Sequence, residues 1–155
     1  MTAGAPTLAP RPAPRQQAVA RQFLAASELV PLRHEGQPAV RITVRLTDYR
    51  SLPVSCIAGI DLQIDGRPVD ADRLVLRLNN NDYPLPALRE RVDLVWFVLD
   101  PAQLVVPLDE PLSAGVHDVV GTLHLIMPYA TVGRVVRSST SRVSLPRAEH
   151  TIPWS

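Results

Sequence analysis

The sequence predicts an all-β fold, an antiparallel β-sandwich of roughly eight strands, and two observations lead to this prediction. Apolar residues alternate with polar ones through residues 40–46 and 60–64, which is the period of a half-buried strand. Short apolar segments are separated by turn signals at the spacing of about 8 to 12 residues that is typical of sandwiches. The connections are too short for helical crossovers, so the strands are expected to pair antiparallel.

The N-terminal residues 1–17 are rich in alanine and proline and hold few side chains to bury. They predict a flexible tail, because packing alone cannot compensate for the entropy lost on ordering. Residues 18–26 favour either a short helix or the approach to a first strand near residues 27–33. His34-Glu35-Gly36-Gln37 is a turn signal that joins this strand to residues 39–46 in a hairpin.

Further along the chain, a proline-containing segment breaks the ladder before a strand at residues 56–64, and Asp65-Gly66 then predicts a tight turn. Later strands are predicted at residues 73–78, 95–98, 103–107, 116–127 and 135–145. Part of the first of these, residues 73–78, could also be helical. Residues 116–127 are apolar on both faces, which indicates a central strand or one that buries its outer face. One sandwich domain is therefore expected over residues 18–147, with a C-terminal tail at 148–155.

The composition indicates which partners and which cellular location to expect. The chain has 155 residues, a net charge of +1 and 16 arginines interleaved with 15 acidic residues, so no clustered basic face for nucleic acid is expected. Cys56 is the one cysteine, is expected to be a small buried thiol, and favours a reducing compartment. No apolar run approaches the roughly 20 residues of a membrane span, and prolines interrupt the N-terminus where a signal peptide would need an apolar region. We expect a cytoplasmic protein without a membrane partner.

The side chains that commonly carry chemistry do not form a recognisable catalytic set. His117 and His124 are seven residues apart, so on one strand they point to opposite faces; a metal site is disfavoured, and a hydrogen-bonded structural role is expected for His117. The serines at residues 138–141 have no partner base in the local sequence. Residues 79–83, Asn-Asn-Asn-Asp-Tyr, have the composition of a loop, although amides beside an aromatic ring also occur in sugar recognition.

Several local motifs follow one another in an order that is more specific than any one of them. They are Tyr49-Arg50-x-Leu52-Pro53-x-Ser55-x-Ile57, Ile64-Asp65-Gly66-x-Pro68-Val69, Trp96-Phe97-x-x-Asp100-Pro101-Ala102, Leu112-x-x-Gly115-x-His117-x-Val119 and Met127-Pro128-Tyr129. In this order they resemble the β subunit of bacterial C-glycoside deglycosidases, and the similarity covers about residues 23–145.

The resemblance implies a non-catalytic sandwich subunit that assembles with a larger α subunit. The resemblance also implies that this α subunit is a TIM barrel of the sugar phosphate isomerase/epimerase type and holds a divalent metal, usually manganese in this family. The complex is expected to cleave the carbon–carbon bond of a 3-oxo-C-glycoside, and the α subunit is expected to supply the base and the metal ligands. This chain is therefore expected to bind no cofactor and no metal, and to carry no catalytic residue.

Three residues are predicted to bind the partner: Tyr49, Arg50 and Pro53, on a loop that follows a strand. Binding residues are commonly carried by loops, and tyrosine and arginine are enriched among the residues that contribute most to protein–protein binding energy. The neighbouring segment Leu52-Pro53-Val54 is expected to be an exposed apolar stretch. The alternative is that Tyr49 closes the core and Arg50 is solvated. The alternative function is a carbohydrate-binding β-sandwich, with residues 79–83 and Trp96 as ligand contacts.

Overall fold

The computed structural model describes residues 22–47, 51–126 and 136–150, and these form antiparallel sheets as the sequence predicts. The described strands are β1 Val30–His34, β2 Gln37–Val44, β3 Leu52–Pro53, β4 Ile57–Ile64, β5 Arg67–Pro68, β6 Val75–Leu78, β7 Asn81–Pro84, β8 Val95–Trp96, β9 Ala102–Pro107, β10 Val116–Ile126 and β11 Val136–Pro146. Three short 3-10 helices accompany them, at Val54–Cys56, Ala71–Arg73 and Leu85–Glu90. The predicted tail at residues 1–17 and Met127-Pro128-Tyr129 lie outside the described residues.

The strands form two main sheets and one small ribbon. A five-stranded sheet has the order β1-β2-β9-β6-β7, and a four-stranded sheet has the order β11-β10-β4-β5. Among the strands that the structure describes, β3 and β8 pair only with each other. Apolar side chains from both main sheets form one buried cluster, in which Ile42 and Leu104 from the first sheet join Ile60 and Leu123 from the second. The all-β sandwich expected from the alternating pattern is therefore confirmed.

Two hairpin turns are located where the sequence predicts them. His34 pairs with Gln37, so Glu35-Gly36 is a two-residue turn, and both residues have positive φ angles of 52° and 80°. Asp65-Gly66 closes the β4–β5 hairpin with φ angles of 53° and 80°. Both turns need the left-handed backbone that glycine adopts without a steric cost, which is why these dipeptides are strong turn signals.

The prediction that residues 79–83 form a loop is wrong in part. Asn79 and Asn80 form a turn with φ angles of 54° and 66°, but Asn81–Pro84 is strand β7, an edge strand paired with β6. Asparagine tolerates the left-handed region, so the first two asparagines make the turn and the third starts the return strand. The strand is held by Arg77, whose guanidinium forms two hydrogen bonds with the Asp82 carboxylate, at 2.6 and 3.0 Å.

The segment before β1 is extended, which decides between the two structures predicted for it. Leu24 forms an isolated bridge with Val44, and the Leu24 backbone N–H donates to the Ser141 hydroxyl at 3.0 Å. A Cβ atom on Gly121 of β10 would approach the Leu24 side chain to 3.0 Å, so this segment packs directly against the four-stranded sheet. Strand β10 pairs with β11 on one side and β4 on the other, and is the central strand that its two-sided apolar pattern indicates.

Candidate partner-binding surface

The β3–β8 ribbon carries Pro53, one of the three residues predicted to bind a partner. Leu52 pairs with Trp96, and Pro53 pairs with Val95. The Leu52 and Trp96 side chains are buried, whereas Pro53 is half-buried. Proline has no N–H to donate, so it is tolerated in a short ribbon where a longer ladder would exclude it. One face of the ribbon is thus buried in the protein, and its other face is accessible to solvent.

Hydrogen bonds hold the loop that follows β8 in one conformation. The Trp96 indole N–H donates to the Asp100 carbonyl at 2.8 Å, and the Asp100 N–H donates to the Phe97 carbonyl at 2.9 Å. The Val98 N–H donates to the Ser51 hydroxyl at 2.9 Å, which ties this loop to the residue before β3. A buried indole with a satisfied N–H is a strong anchor, so these bonds hold the backbone of residues 97–100.

Three large apolar side chains are exposed around this ribbon. Phe97 is 57% exposed, Leu99 is 70% exposed and Val92 is 73% exposed. Single exposed apolar residues are common on protein surfaces and need no explanation. Here three of them lie close together in the sequence, on either side of β8, and grouped exposed apolar residues are typical of interaction sites. We call these three residues and Pro53 the ribbon surface.

The ribbon surface lies at one end of the sandwich. The chain runs from β3 through the Val54–Cys56 helix directly into Ile57, which pairs with Leu125 at the end of β10. Val136 begins β11 at this same end and is 47% exposed. Val116, which is 67% exposed, begins β10 at the other end, about 33 Å away for eleven extended residues.

The structure describes only one of the three residues predicted to bind the partner. Tyr49 and Arg50 lie outside the described residues, so their role stays a prediction, and Pro53 lies in the ribbon surface. The expectation that Leu52-Pro53-Val54 is exposed is wrong for two of the three, since Leu52 is 3% exposed and Val54 is fully buried. Both side chains belong to the buried core cluster, as does Trp96 of the same ribbon.

Sequence reasoning missed the exposed members of the ribbon surface. Phe97 and Leu99 alternate with Trp96 and Val98, and this alternation is the signal that could have found them. A tryptophan that faces the core puts the next side chain on the opposite face of an extended segment. Because Trp96 is only 1% exposed, it cannot serve as the sugar contact that the carbohydrate-binding alternative assigned to it.

His117 has the hydrogen-bonded structural role expected of it. Its ring is buried, with Nδ1 at 2.6 Å from the Asp65 carboxylate and Nε2 at 2.8 Å from the Ser113 carbonyl. The hydrogen bond with Asp65 raises the pKa of His117 above its ordinary value, against the opposing effect of burial. Hydrogen bonds from His117 and from the Asp118 backbone lower the pKa of Asp65. The pair ties the β4–β5 turn to β10.

His124 lies on the opposite face of β10, as its spacing predicts, and forms a second cluster. Its Nε2 is 2.7 Å from the Asp61 carboxylate, and its Nδ1 is 2.6 Å from the Ser138 hydroxyl. Ser138 has no partner base in the local sequence, but the β10–β11 register places His124 opposite it. The Asp61 side chain is 75% exposed, so water screens this cluster and the structure shows a surface hydrogen-bond network.

The buried cysteine and the possible metal ligands do not form a reactive site among the described residues. Cys56 is buried as expected, and burial raises the pKa of its thiol, although Arg89 opposes this effect. Within residues 22–47, 51–126 and 136–150, no three histidine, cysteine or acidic side chains group closely enough to hold a metal ion. None of the helices in the part of the chain that the structure describes has the length and apolar character to cross a membrane.

Comparison with known proteins identifies the family. The family model of the C-glycoside deglycosidase beta subunit matches residues 20–129. The chain belongs to this family. The beta subunit of a C-glycoside deglycosidase from Microbacterium trichothecenolyticum is 40% identical over 101 residues, which cover 65% of this chain and 76% of the relative. A 3'-dehydrocarminate deglycosidase beta subunit from a Microbacterium species is 39% identical over 89 residues, which cover 57% of this chain and 67% of the relative.

A third member, from Arthrobacter globiformis, is a C-glycoside deglycosidase beta subunit that is 36% identical over 98 residues, covering 63% of this chain and 73% of the relative. The family resemblance predicted from the sequence motifs is thus confirmed. The matched residues 20–129 of the C-glycoside deglycosidase beta subunit family include the whole ribbon surface. Strand β11 lies beyond them.

Proposed function

We propose that this chain is the non-catalytic β subunit of a cytoplasmic C-glycoside deglycosidase that cleaves the carbon–carbon bond between a 3-oxo sugar and its aglycone. Its partner is an α subunit with a TIM barrel of the sugar phosphate isomerase/epimerase type. A β subunit by name implies an α subunit, and the name of one relative specifies a 3'-dehydro substrate, which is a glycoside oxidised at that sugar carbon. Both points support the proposal.

The chemistry explains why the complex needs an oxidised sugar. Ordinary glycoside hydrolysis uses two carboxyl groups, one of which protonates the glycosidic oxygen of the leaving group. A C-glycoside has no such oxygen, so this mechanism is not available. A ketone at C3 acidifies the proton at C2. A base that removes this proton generates an enediolate, from which the bond between C1 and the aglycone breaks and the aglycone carbon takes up a proton. A divalent metal such as manganese, held by the α subunit, would supply a Lewis acid for this oxygen charge.

The hydrogen bonds of the two histidines on β10 support a division of roles between the subunits. The buried histidine, His117, has both ring nitrogens engaged by Asp65 and Ser113, which leaves it no free nitrogen for a substrate proton. His124 also has both nitrogens engaged, on an exposed sheet face. We therefore assign the metal, its ligands and the catalytic base to the α subunit, and to this chain the completion or stabilisation of that active site.

The ribbon surface is the observation that carries the proposed assembly. Phe97 and Leu99 are exposed on a loop that is already fixed by the Trp96 and Ser51 hydrogen bonds, so docking does not have to order them. Apolar aromatic and aliphatic anchors of this kind dominate interface energies when they enter a pocket of the partner. Tyr49 and Arg50 precede the ribbon by a few residues and are proposed to extend the same interface.

The test is co-expression with a candidate α subunit, which the proposal expects to be a barrel protein encoded beside this gene, followed by size-exclusion chromatography with light scattering. We expect a heteromer that survives high salt, because an apolar interface is not screened by ions. Dissociation into monomers on adding salt would contradict an apolar interface. The purified chain alone, supplied with manganese and a 3-oxo-C-glycoside, is expected to show no turnover, and adding the α subunit should restore it.

A matched pair of variants tests the location of the interface. Leu99→Glu places a charge in the ribbon surface, whereas Val116→Glu places the same charge on an equally exposed valine at the other end of the sandwich. Burying an uncompensated charge at an interface costs several kcal/mol, so we expect Leu99→Glu to weaken assembly by about 100-fold or more. Val116→Glu should assemble like the parent. Equal affinities for the two variants would place the interface elsewhere.

A further inference from the structure

Three polar side chains from neighbouring strands form a chain of hydrogen bonds on the outer face of the four-stranded sheet. His124 of β10 lies between Asp61 of β4 and Ser138 of β11. Its Nε2 is 2.7 Å from the Asp61 carboxylate, and its Nδ1 is 2.6 Å from the Ser138 hydroxyl. A hydroxyl, an imidazole and a carboxylate that are connected in this order can activate a serine as a nucleophile.

The pairing of β10 with β11 explains why the imidazole and the hydroxyl meet. Arg147 and Gly115 continue this register by one step, and the Arg147 N–H donates to the Gly115 carbonyl. Pairs with backbone hydrogen bonds alternate with pairs that lack them along an antiparallel ladder. His124 and Ser138 are an odd number of steps from that bonded pair, so they form a pair of the second kind. Side chains approach each other most closely in such pairs.

Strand β4 leaves room for the imidazole to reach the carboxylate. The residue opposite His124 on β4 is Gly59, and a Cβ at this glycine would lie 3.8 Å from Cδ2 of the ring. The ring therefore lies beside a residue without a side chain and extends to Asp61, two residues along β4. The His124 side chain is 29% exposed, and Ser138 is exposed as well. A small molecule in solvent can thus reach the hydroxyl, while the neighbours of the ring hold it in place.

The carboxylate determines which nitrogen of His124 carries the proton. A carboxylate only accepts hydrogen bonds, so the Nε2–H donates to Asp61 and the neutral ring has its lone pair on Nδ1. The Ser138 hydroxyl therefore donates to Nδ1, the atom that would remove its proton. The two ring nitrogens are exchanged relative to the triad of serine proteases, but each of the three groups has the same task.

A second serine of β11 shows what the imidazole adds. Ser144 is exposed on the same face of the strand as Ser138, and its hydroxyl donates directly to the Asp118 carboxylate at 2.9 Å. Both hydroxyls therefore donate to an acceptor on β10, but the acceptor is a ring nitrogen in one case and a carboxylate oxygen in the other. Imidazole is the stronger base, so Ser138 is expected to react and Ser144 is not.

We propose that Ser138 is a nucleophile that takes an acyl group from an activated carboxylic ester, with His124 as the general base and Asp61 as a positioning residue. The Ser138 Oγ forms a bond to the ester carbonyl carbon, and its proton passes to Nδ1 of His124. The bond from that carbon to the leaving oxygen then breaks, and the leaving group takes the proton from His124. The products are an acyl ester of Ser138 and an alcohol or phenol. The inference goes beyond the proposed function and does not depend on it.

The test is reaction of the purified full-length chain with p-nitrophenyl acetate at neutral pH, followed by acid quenching and mass spectrometry of the peptides. The chain has no lysine, so the commonest competing nucleophile is missing. We expect an acetyl group on Ser138 and about 100-fold less on Ser144, the lower end of a general-base contribution, because water screens an exposed site. Acetyl-Ser138 should accumulate, since a serine alkoxide is a poorer leaving group than p-nitrophenolate. Equal labelling of the two serines, or no label on Ser138, would overturn the proposal.

Variants of His124 and Ser144 separate base catalysis from simple exposure of a serine. His124→Gln retains a polar side chain but has no base, and it should slow the labelling of Ser138 by about 100-fold. Ser144→Ala should react like the parent, because its hydroxyl has no part in the reaction. An unchanged rate in His124→Gln would overturn the assignment of the base, and a slower rate in Ser144→Ala would show that the label reaches Ser138 by another route.

A matched pair at Asp61 tests the positioning role. Asp61→Asn should slow the labelling of Ser138 by about tenfold, the equivalent of one lost hydrogen bond to a charged group. Asp61→Glu retains a carboxylate acceptor and should keep most of the parent rate. Equal rates for the two variants would overturn the role of Asp61. All variants should melt within a few degrees of the parent, because the substituted groups lie on the surface. If His124→Gln melts lower, the Asp61 pair still tests the same chain of groups.

Discussion

The His117–Asp65 pair is expected to stabilise the fold in a pH-dependent way, and His117→Phe tests this. The substitution retains a buried ring on β10 but removes the bonds to the Asp65 carboxylate at 2.6 Å and to the Ser113 carbonyl at 2.8 Å. A hydrogen bond to a charged group contributes about 1.5 to 3 kcal/mol, and a neutral one about 1 kcal/mol. The Asp65 side chain is 49% exposed and water can replace its partner, so we expect a net loss of about 2 kcal/mol.

The pH dependence follows from the directions of the two pKa shifts. Folding raises the pKa of His117 above 6.5, so its contribution is complete below that pH and is lost as the pH rises through the folded value. Folding lowers the pKa of Asp65 below 3.8, so its contribution is complete above that pH and is lost as the pH falls through the folded value. The pair should therefore contribute most between pH 3.8 and 6.5.

The measurement is urea unfolding of the parent and of His117→Phe at pH 5, 7 and 9. The difference in the free energy of unfolding should be largest at pH 5 and should shrink toward pH 9. The control is His124→Phe, on the opposite face of the same strand, where the Asp61 partner is 75% exposed and the expected loss is within about 0.5 kcal/mol. An equal loss for both variants, or a His117→Phe difference that stays constant with pH, would refute the reasoning.

Three further changes have defined outcomes. Gly121→Ala should destabilise the fold by about 1 to 3 kcal/mol in a thermal melt, because the added Cβ would lie 3.0 Å from the Leu24 side chain. Trp96→Phe should remove the bond to the Asp100 carbonyl, lower the stability by about 1 kcal/mol and speed amide exchange in residues 97–100; unchanged exchange would show that the loop is held otherwise. Arg50→Ala should melt like the parent and weaken assembly with the α subunit; full affinity and turnover would make this residue only part of a connector.

The turns and the long strands could be predicted because their signals are local. Glu35-Gly36 and Asp65-Gly66 occupy the positions that their dipeptides predict, since the left-handed backbone requirement is a property of the turn itself. The Asn79–Tyr83 prediction failed because three consecutive asparagines do not reveal which two form the turn. That choice is made by the pairing of β7 with β6, which is a tertiary contact.

The candidate site was harder to predict because exposure depends on what packs nearby. Leu52 and Val54 were expected at the surface and are buried, whereas Phe97 and Leu99 are exposed, although all four are apolar residues in or next to the β3–β8 ribbon. No local pattern states which face of a short ribbon turns toward the core. The contact between His124 and Ser138 likewise depends on the register of the β10–β11 pair, which residues 14 apart do not specify.

Asp65 connects the β4–β5 turn to strand β10 through several contacts. It adopts the left-handed turn before β5, its backbone N–H donates to the Asp118 carbonyl, and its carboxylate bonds to both the Asp118 N–H and His117. If β4 slipped along β10 by two residues, the apolar faces would still match, since the side-chain period of a strand is two. The Asp65 contacts would all break. A single side chain thus distinguishes the correct alignment of this sheet from a slipped one that hydrophobic patterning alone would accept.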